Sequence, residues 1–378
     1  MSTEPFTLRW GILATGWISQ KFALDLLVPA STRASTSPPD NNVVHKIVAV
    51  SSSSSLNKAE EFVKNYLPNE SGVKSYGNYD DMFKDGNVEV VYVGTPHSRH
   101  YEDCLGALKA GKHVLCEKAL TVNGKQAEIL FKLAKEKNLF FMEAVWTRFQ
   151  PVTKAVLKAL NSGVIGPIHY VQSHLHSNIK MDLLPKTHRL LDPMLCGGAL
   201  TDLGPYSWTW MSLLAPSLPT TANYKGSSII FTDQKVDGST TAVFQTEGVQ
   251  GVLSCGFYAA YPTDRAALVV GEKGRIWVEG PLYRPQSFTV QVWDKREDIN
   301  IADSKNFKPA REETFDFRER PGGIWGFAWE ADEVARCIRD GKIESETMSW
   351  ALTAEMMNVF DKIREANNFT YPEQIERV

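Results

Sequence analysis

Thr7-Leu8-Arg9-Trp10-Gly11-Ile12-Leu13-Ala14-Thr15-Gly16-Trp17-Ile18-Ser19 decides the fold: an apolar strand runs straight into a glycine-containing turn and then a helix. In the fingerprint G-x-G-x-x-G, glycines permit a tight turn and let a pyrophosphate reach backbone N–H groups at a helix start, where the dipole favours anions. The aligned positions are Ala14, Gly16 and Ser19, so only the middle glycine survives, and alone the motif also fits an ordinary strand-to-helix turn. Its place gives it weight, because it follows the first strand of an alternating series. Further apolar runs at Lys46 to Val50, Val88 to Gly94, His113 to Cys116 and Leu139 to Met142 are separated by helical spacing, as in Lys58 to Tyr66, Tyr101 to Ala110 and Lys125 to Lys137. Short apolar strands separated by helices imply parallel pairing through right-handed crossovers. The first half therefore reads as a doubly wound α/β sheet, interrupted at Pro29 to Asn42 by a Ser/Thr/Pro-rich stretch expected to be a mobile surface loop.

After Pro151 the pattern changes. Alternating segments at Ile168 to Leu175, Thr240 to Thr246, Gly251 to Phe257, Ala266 to Val270, Arg275 to Val278 and Phe288 to Trp293 are joined in places by Gly-containing turns. These suit a mostly antiparallel sheet. Helical spacing returns at Trp329 to Arg339 and Trp350 to Ala366, before a polar tail. At 378 residues the chain is long for one core, and two domains are expected. We divide it at 1–145 and 146–378.

The 41 basic and 44 acidic residues are interspersed, with a net charge of −3, which disfavours nucleic acid and anionic lipid as partners. No segment approaches the roughly 18 consecutive apolar residues of a spanning helix, and Met1 to Pro5 does not resemble a secretory leader. Cys104, Cys116, Cys196, Cys255 and Cys337 form no C-x-x-C pair, fitting buried thiols in a reducing compartment; the expected location is the cytoplasm. His174 and His176, two apart on a strand, are read as surface or substrate-side groups, and no metal is expected.

A second strand ending in an acidic residue would favour NAD. Here it ends Ala49-Val50-Ser51-Ser52-Ser53-Ser54-Ser55, with Lys58 one helical turn later and Asp40 at the wrong end of the strand. Hydroxyls and an ammonium at a helix start suit the 2′-phosphate of NADP, the alternative being a solvated serine loop. Two further strands run into Gly94-Thr95-Pro96-His97-Ser98-Arg99-His100 and Cys116-Glu117-Lys118-Ala119-Leu120, at the edge where ligands sit in an open α/β sheet. Charged Glu117 and Lys118 at the end of an apolar strand need a reason beyond capping.

These residues resemble the glucose-fructose oxidoreductase and inositol dehydrogenase (Gfo/Idh/MocA) family, whose Glu-Lys-Pro signature is met with Ala119 in place of proline. Gly197-Gly198-Ala199-Leu200-Thr201-Asp202-Leu203-Gly204-Pro205-Tyr206 resembles the family's second-domain segment, and Asp202 and Tyr206 share a face if a helix begins there. Glu143-Ala144-Val145-Trp146-Thr147-Arg148-Phe149, His188-Arg189 and Trp329 to Cys337 extend the likeness, within the family, to dimeric dihydrodiol dehydrogenases and fungal NADP-dependent D-xylose dehydrogenases.

The resemblance implies an N-terminal Rossmann domain binding NADP and a C-terminal α+β domain with a large, mostly antiparallel open sheet that binds substrate and forms a homodimer. It implies an oxidoreductase moving a hydride from the C1 hydroxyl carbon of an aldose such as D-xylose to NADP. Alternatives are a trans-1,2-dihydrodiol dehydrogenase and a non-catalytic NADP-binding regulator. Lys118, Tyr206 and Asp202 take the catalytic positions: Tyr206 is the candidate base, Lys118 is expected to depress its pKa and bond the same oxygen, and Asp202 positions both. Ala14, Gly16, Trp17, Ile18, Ser51, Ser52, Ser53, Lys58, Tyr76, Thr95, Pro96, His97, His100, Glu117, Lys118, Trp146, Arg148 and Arg189 fall on the cofactor side. Trp146, Phe149, Asp202, Tyr206 and Trp325 fall on the substrate side, where Trp17, Trp146 and Trp325 offer flat faces to a ring. The missing proline removes a fixed φ that would orient Lys118.

Overall fold

The computed structural model describes residues 5–33, 43–260, 263–293 and 309–378. The first half runs β1 (Phe6–Leu13), α1 (Trp17–Leu26), α2 (Ala30–Arg33), β2 (Val43–Ser51), α3 (Leu56–Tyr66) and β3 (Lys74–Tyr76). It continues through α4 (Tyr79–Phe83), β4 (Val90–Val93), α5 (His100–Lys109), β5 (His113–Glu117), α6 (Gly124–Glu136) and β6 (Phe141–Ala144). The six strands pair in parallel in the order β3-β2-β1-β4-β5-β6. Helices on both faces explain why β4 reads Val-Val-Tyr-Val with every residue buried, since a strand covered on both sides has no polar face. Strand order reverses between β1 and β4, and a crevice opens beyond the carboxyl ends of strands at such a switch point. Ala14 and Gly94 stand at that point.

The second half contains α7 (Pro151–Asn161), β7 (Ile168–His176), α8 (Ala199–Asp202), α9 (Gly204–Leu214), β8 (Tyr224–Phe231), β9 (Asp237–Thr246) and β10 (Val249–Gly256). Then follow β11 (Ala267–Gly271), β12 (Gly274–Glu279), β13 (Ser287–Val292), β14 (Arg311–Asp316), α10 (Phe327–Arg339), α11 (Trp350–Ala366) and α12 (Glu373–Glu376). The eight strands order β14-β13-β12-β11-β7-β10-β9-β8, antiparallel except for the pair β7 and β10. All eleven residues of α9 are buried against this sheet, so the helix lacks a polar stripe.

Several expectations shift. The stretch expected as a loop from Pro29 begins with the helical turn α2, where Thr32 N–H donates to the Pro29 carbonyl; Asp40 and the rest of 34–42 lie outside the described residues. The strand expected at 139–142 forms two residues later, at Phe141–Ala144. The edge strands β8 and β14 escape a periodicity search because an edge carries little burial: β14 reads Arg-Glu-Glu-Thr-Phe-Asp, a charged rim that discourages pairing with other chains.

The expected polar tail is docked. Tyr371 Oη donates to the Gly197 carbonyl at 2.7 Å, and Gln126 Nε2 donates to the carbonyls of Ile375 and Arg377 at 2.8 Å each. α10 and α11 return from the second sheet to cover the first, α10 against α1, β1 and β2, and α11 against α6. All five cysteines are buried and unpaired, and among the described residues no helix is long and apolar enough to cross a membrane.

Candidate active site

A cavity of about 760 Å³ lies between the switch point and the second sheet. From the sequence-derived set it gathers Ala14, Gly16, Trp17, Ile18, Thr95, Pro96, His97, His100, Glu117, Lys118, Trp146, Arg189, Asp202, Tyr206 and Trp325. It adds Gly94, Leu195, Leu203, Tyr283 and Phe327, which the sequence reading missed.

At one end stands the start of α1. Its N-cap, Gly16, supplies no side-chain cap, and a Cβ there would meet nothing within 4 Å, so the first N–H groups face open space. Ala14 adopts φ 73°, the left-handed conformation that the fingerprint's first glycine would take without strain. Strand and helix close tightly behind it: a Cβ on Gly94 would stand 2.4 Å from Ser19 Oγ. An uncapped helix start with space around Gly16 fits a dinucleotide pyrophosphate.

Across the cavity, β5 delivers Glu117 and Lys118, and the α8–α9 segment delivers Asp202 and Tyr206. Lys118 Nζ donates to the Asp202 carbonyl at 2.7 Å and lies 3.3 Å from Asp202 Oδ1. Arg189 Nη1 donates to that same Oδ1 at 3.0 Å. Burial opposes ionisation of Asp202, but the Lys118 and Arg189 cations hold its carboxyl well below the usual range. His97 is pushed down to about 3 by burial and by Lys118, so its ring is neutral; Nε2 lies 3.0 Å from the Lys118 carbonyl. Without the family's proline, neighbours fix the turn after Lys118. Glu143 Oε1 accepts from Leu120 N–H at 2.9 Å, and His100 Nδ1 sits 2.9 Å from the Ala119 carbonyl.

Tyr206 corrects an expectation. Burial, and next the charge of Glu117, raise its pKa well above the ordinary value, whereas Lys118 does not reach its oxygen. The Lys118 ammonium lies over the ring, 5.2 Å from the centroid, and the hydroxyl oxygen instead accepts from Trp146 Nε1 at 2.8 Å. The phenol is therefore protonated at neutral pH, with its own O–H free to face the cavity. Asp202 and Tyr206 do not belong to one continuous helix, because α8 ends at Asp202 and α9 begins at Gly204; both nevertheless line the cavity. Beneath them Tyr92 Oη donates to Glu117 Oε1 at 2.7 Å, which accounts for the buried carboxyl at the strand end.

Seven of the expected residues lie outside the lining of this cavity. Arg148 is turned away, donating to Ser212 Oγ at 2.6 Å and to the Thr347 carbonyl, and Phe149 is buried in the core. The short 3₁₀ helix Trp146–Phe149 explains this: at three residues per turn Arg148 leaves the helix on a different side from Trp146. Ser51 stands beside Ala14, whose N–H donates to its carbonyl, but its hydroxyl donates to the Asn78 carbonyl at 2.7 Å and is withdrawn from any phosphate. Ser52 is buried, while Ser53 and Lys58 are exposed beyond that end of β2. Tyr76 Oη is committed to Asp85 at 2.7 Å, leaving only its ring to cover an adenine.

The aromatic wall comes from Trp146, Tyr283, Trp325 and Phe327. Phe327 stacks on Trp146 with centroids 4.3 Å apart, and Trp325 meets Trp17 edge to face at 5.3 Å. No periodicity marks Tyr283 or Phe327. Their nearest sequence signals are turn residues: Gly280-Pro281, one residue short of Tyr283, and Gly326, directly before Phe327.

Residues 8–145 match the oxidoreductase family with an NAD-binding Rossmann fold, and residues 153–277 match the GFO/IDH/MocA C-terminal domain. A D-xylose 1-dehydrogenase (NADP(+)) of Hypocrea jecorina is 36% identical over 99% of this chain and 95% of its own length. A trans-1,2-dihydrobenzene-1,2-diol dehydrogenase of Bos taurus is 31% identical over 97% of this chain and 98% of its own. Among solved structures, a 3-ketoreductase from Actinomadura kijaniata in complex with NADP superposes with TM-score 0.74 at 23% identity, over 96% of this chain and 98% of that one. A levoglucosan dehydrogenase superposes with TM-score 0.77 at 19% identity, over 96% and 97%. At these identities the two structures speak for the fold alone.

Proposed function

The chain belongs to the GFO/IDH/MocA oxidoreductase family, and from that premise we propose that it oxidises the C1 hydroxyl of an aldose of the D-xylose type to the lactone with NADP. The observation that carries this is the convergence of Lys118, from the end of β5, with Asp202 and Tyr206, from the α8–α9 segment, in one cavity with the open start of α1. NADP, when bound, accepts the hydride from C1. Ala14, Gly16 and Ile18 hold its pyrophosphate end, and Ser53 and Lys58 hold the 2′-phosphate at the end of β2, which carries no competing carboxylate.

The protein's own share is position and protons. The reaction removes one hydride and one hydroxyl proton; the Tyr206 oxygen, already accepting from Trp146, takes that proton as its phenolate, after the phenol's own proton has passed to solvent. Lys118 and Arg189 hold Asp202 ionised, so the trio offers donors and an acceptor at once to vicinal hydroxyls. In the reverse direction the protonated phenol donates to a carbonyl.

The aromatic wall favours a second reading, a trans-dihydrodiol dehydrogenase, because a cyclohexadiene ring presents a face to Trp146 and Phe327. Measuring NADPH formation with D-xylose and with a trans-dihydrodiol separates the two. Higher catalytic efficiency on the diol would displace the first reading, and NADP binding without turnover of either would leave a regulatory protein.

We place the cofactor in 1–145 and the substrate and dimer surfaces in 146–378. The face of the second sheet away from α9 carries Trp277 between Arg265 and Arg275, and it is the proposed homodimer surface, checked by mass in solution. Five unpaired cysteines suit a reducing, cytoplasmic setting.

A further inference from the structure

We infer that Asp25, which lies outside the cavity, is a positioning residue for the alcohol oxidation and acts through Phe327 and Trp146 on the Tyr206 hydroxyl; the inference rests on the reading above. Asp25 stands near the end of α1 and is 3% exposed. Its Oδ1 accepts from Trp325 N–H at 2.8 Å, and its Oδ2 accepts from Gly326 N–H at 2.7 Å and Phe327 N–H at 2.8 Å. Three consecutive N–H groups reach one carboxylate because Gly326 takes φ 127°, a conformation in which a side chain would be strained. Two of them, Gly326 and Phe327, are orphan donors at the start of α10, which has no side-chain cap of its own, so carboxylate and helix dipole reinforce each other.

The latch joins elements distant in sequence. Its carboxylate comes from the helix whose opposite end faces the cofactor site, and its donors come from residues on the cavity's aromatic wall. From Phe327 a traceable line of contacts leads inward. The Phe327 ring stacks on Trp146 at 4.3 Å and 23°, and Trp146 Nε1 donates to Tyr206 Oη at 2.8 Å. That last bond occupies one lone pair of the phenol and so sets the direction left for its proton. Loosening the latch frees Phe327 to slide, lets the indole turn, and leaves the phenol without an oriented donor. Side chains interdigitated at interior density transmit such shifts, and sub-ångström misplacement of a reacting group slows chemistry.

The test uses the full-length protein with Asp25→Asn, Trp146→Phe and the double variant. Turnover is expressed per NADP-binding site, on whichever of D-xylose or the trans-dihydrodiol the unaltered protein converts faster. Asp25→Asn turns one acceptor into a donor that faces a backbone N–H. We expect turnover per site to fall about ten- to a hundredfold, the effect of losing a charge-assisted bond, with NADP affinity changed less than about threefold. Trp146→Phe should act in the same direction, and the double variant should be no more than about threefold worse than the poorer single.

An Asp25 that only supports the fold would lower the number of NADP sites and leave turnover per site intact. That result, or losses that multiply in the double variant, would overturn the inference. Phe327→Leu with Trp146→Phe gives the same non-additivity test if Asp25→Asn does not fold. Exchange of the Trp146 indole N–H, followed by NMR, should be faster in Asp25→Asn or Phe327→Leu. Unchanged exchange overturns the latch, whereas inactivity of the unaltered protein on both alcohols overturns the functional reading and leaves the indole measurement to judge the latch.

Discussion

Replacing Lys118 by Met removes an ammonium while keeping most of the stem that carries it. In the structure that ammonium makes two contacts to one residue, the Asp202 carbonyl at 2.7 Å and its Oδ1 at 3.3 Å, and both side chains are only 11% exposed. Without it the carbonyl loses its donor, while the carboxylate keeps Arg189 at 3.0 Å. A buried acceptor left unmatched and a weakened charge pair together cost about 2–4 kcal/mol, which a domain stable by roughly 5–15 kcal/mol survives. Turnover should suffer more than stability. A positioned proton-transfer network contributes about 10²–10⁴-fold, so Lys118→Met should lose that much kcat while NADP binding persists, because the open start of α1 is untouched. Lys118→Arg restores the charge beside Asp202 and should recover stability without turnover, since a rigid guanidinium fork does not reproduce a compact ammonium. The assay pairs initial rates of NADPH formation with calorimetric unfolding and an NADP titration. Folded Lys118→Met retaining turnover within tenfold of the parent, at saturating NADP, would remove the lysine from the chemistry.

Lys58→Glu puts a carboxylate where the 2′-phosphate is proposed to sit, and should shift the ratio of NADP to NAD dissociation constants toward NAD by about tenfold or more, an unchanged ratio refuting the cradle. Glu143, fully buried, is pushed up to about 7 by burial, so the folded chain keeps a proton that the unfolded chain releases near 4.5, and the group's contribution to stability falls as pH rises from 4.5 to 7. Glu143→Gln retains an acceptor for Leu120 N–H and a partner for Thr353 Oγ1, so its stability relative to the parent should rise by about 3 kcal/mol across that window and level off above it; a pH-independent difference in denaturant midpoints would contradict this.

The cofactor half was legible because its signal is local. A strand, a turn and a helix start are consecutive, and β4 and the carboxyl-terminal halves of β1 and β2 are buried on both faces, which leaves short runs of apolar residues. Even the missing glycine misled little, since Ala14 adopts the left-handed turn regardless. The substrate wall was only partly legible. Trp325 could be named from its ring, but Phe327 faces the cavity because a carboxylate three hundred residues earlier pins its N–H, and no window of sequence spans that distance. Arg148 failed for the opposite reason. Its neighbours belong to the site, and charge plus adjacency suggested a phosphate contact, but the turn of a 3₁₀ helix sends the guanidinium to Ser212. Tyr206 lines the cavity with a partner, Trp146, that its spacing did not suggest, because which donor reaches a hydroxyl depends on angles that spacing does not encode.

The charges around the cavity constrain what kind of alcohol belongs there. Lys118 and Arg189 converge on a single carboxylate, Asp202, with the Glu117 carboxyl on the same wall, so both cations already have acidic partners. A hydroxy acid would have to compete with Asp202 for them in a low-dielectric setting, and the displaced carboxylate would then lie buried and unpaired. A neutral polyol meets no such conflict. Its hydroxyls accept from the ammonium and the guanidinium, donate to Asp202, and leave the three charges in place. Trp146, Tyr283, Trp325 and Phe327 add an aromatic wall that suits the C–H face of a sugar or a cyclic diol. The open start of α1 lies at the cofactor end, where a dinucleotide's negative groups would lie. On the proposed reading, a helix start for the cofactor and an aromatic wall for the alcohol are separated within one cavity, and Tyr206 would stand between them, where hydride and proton part.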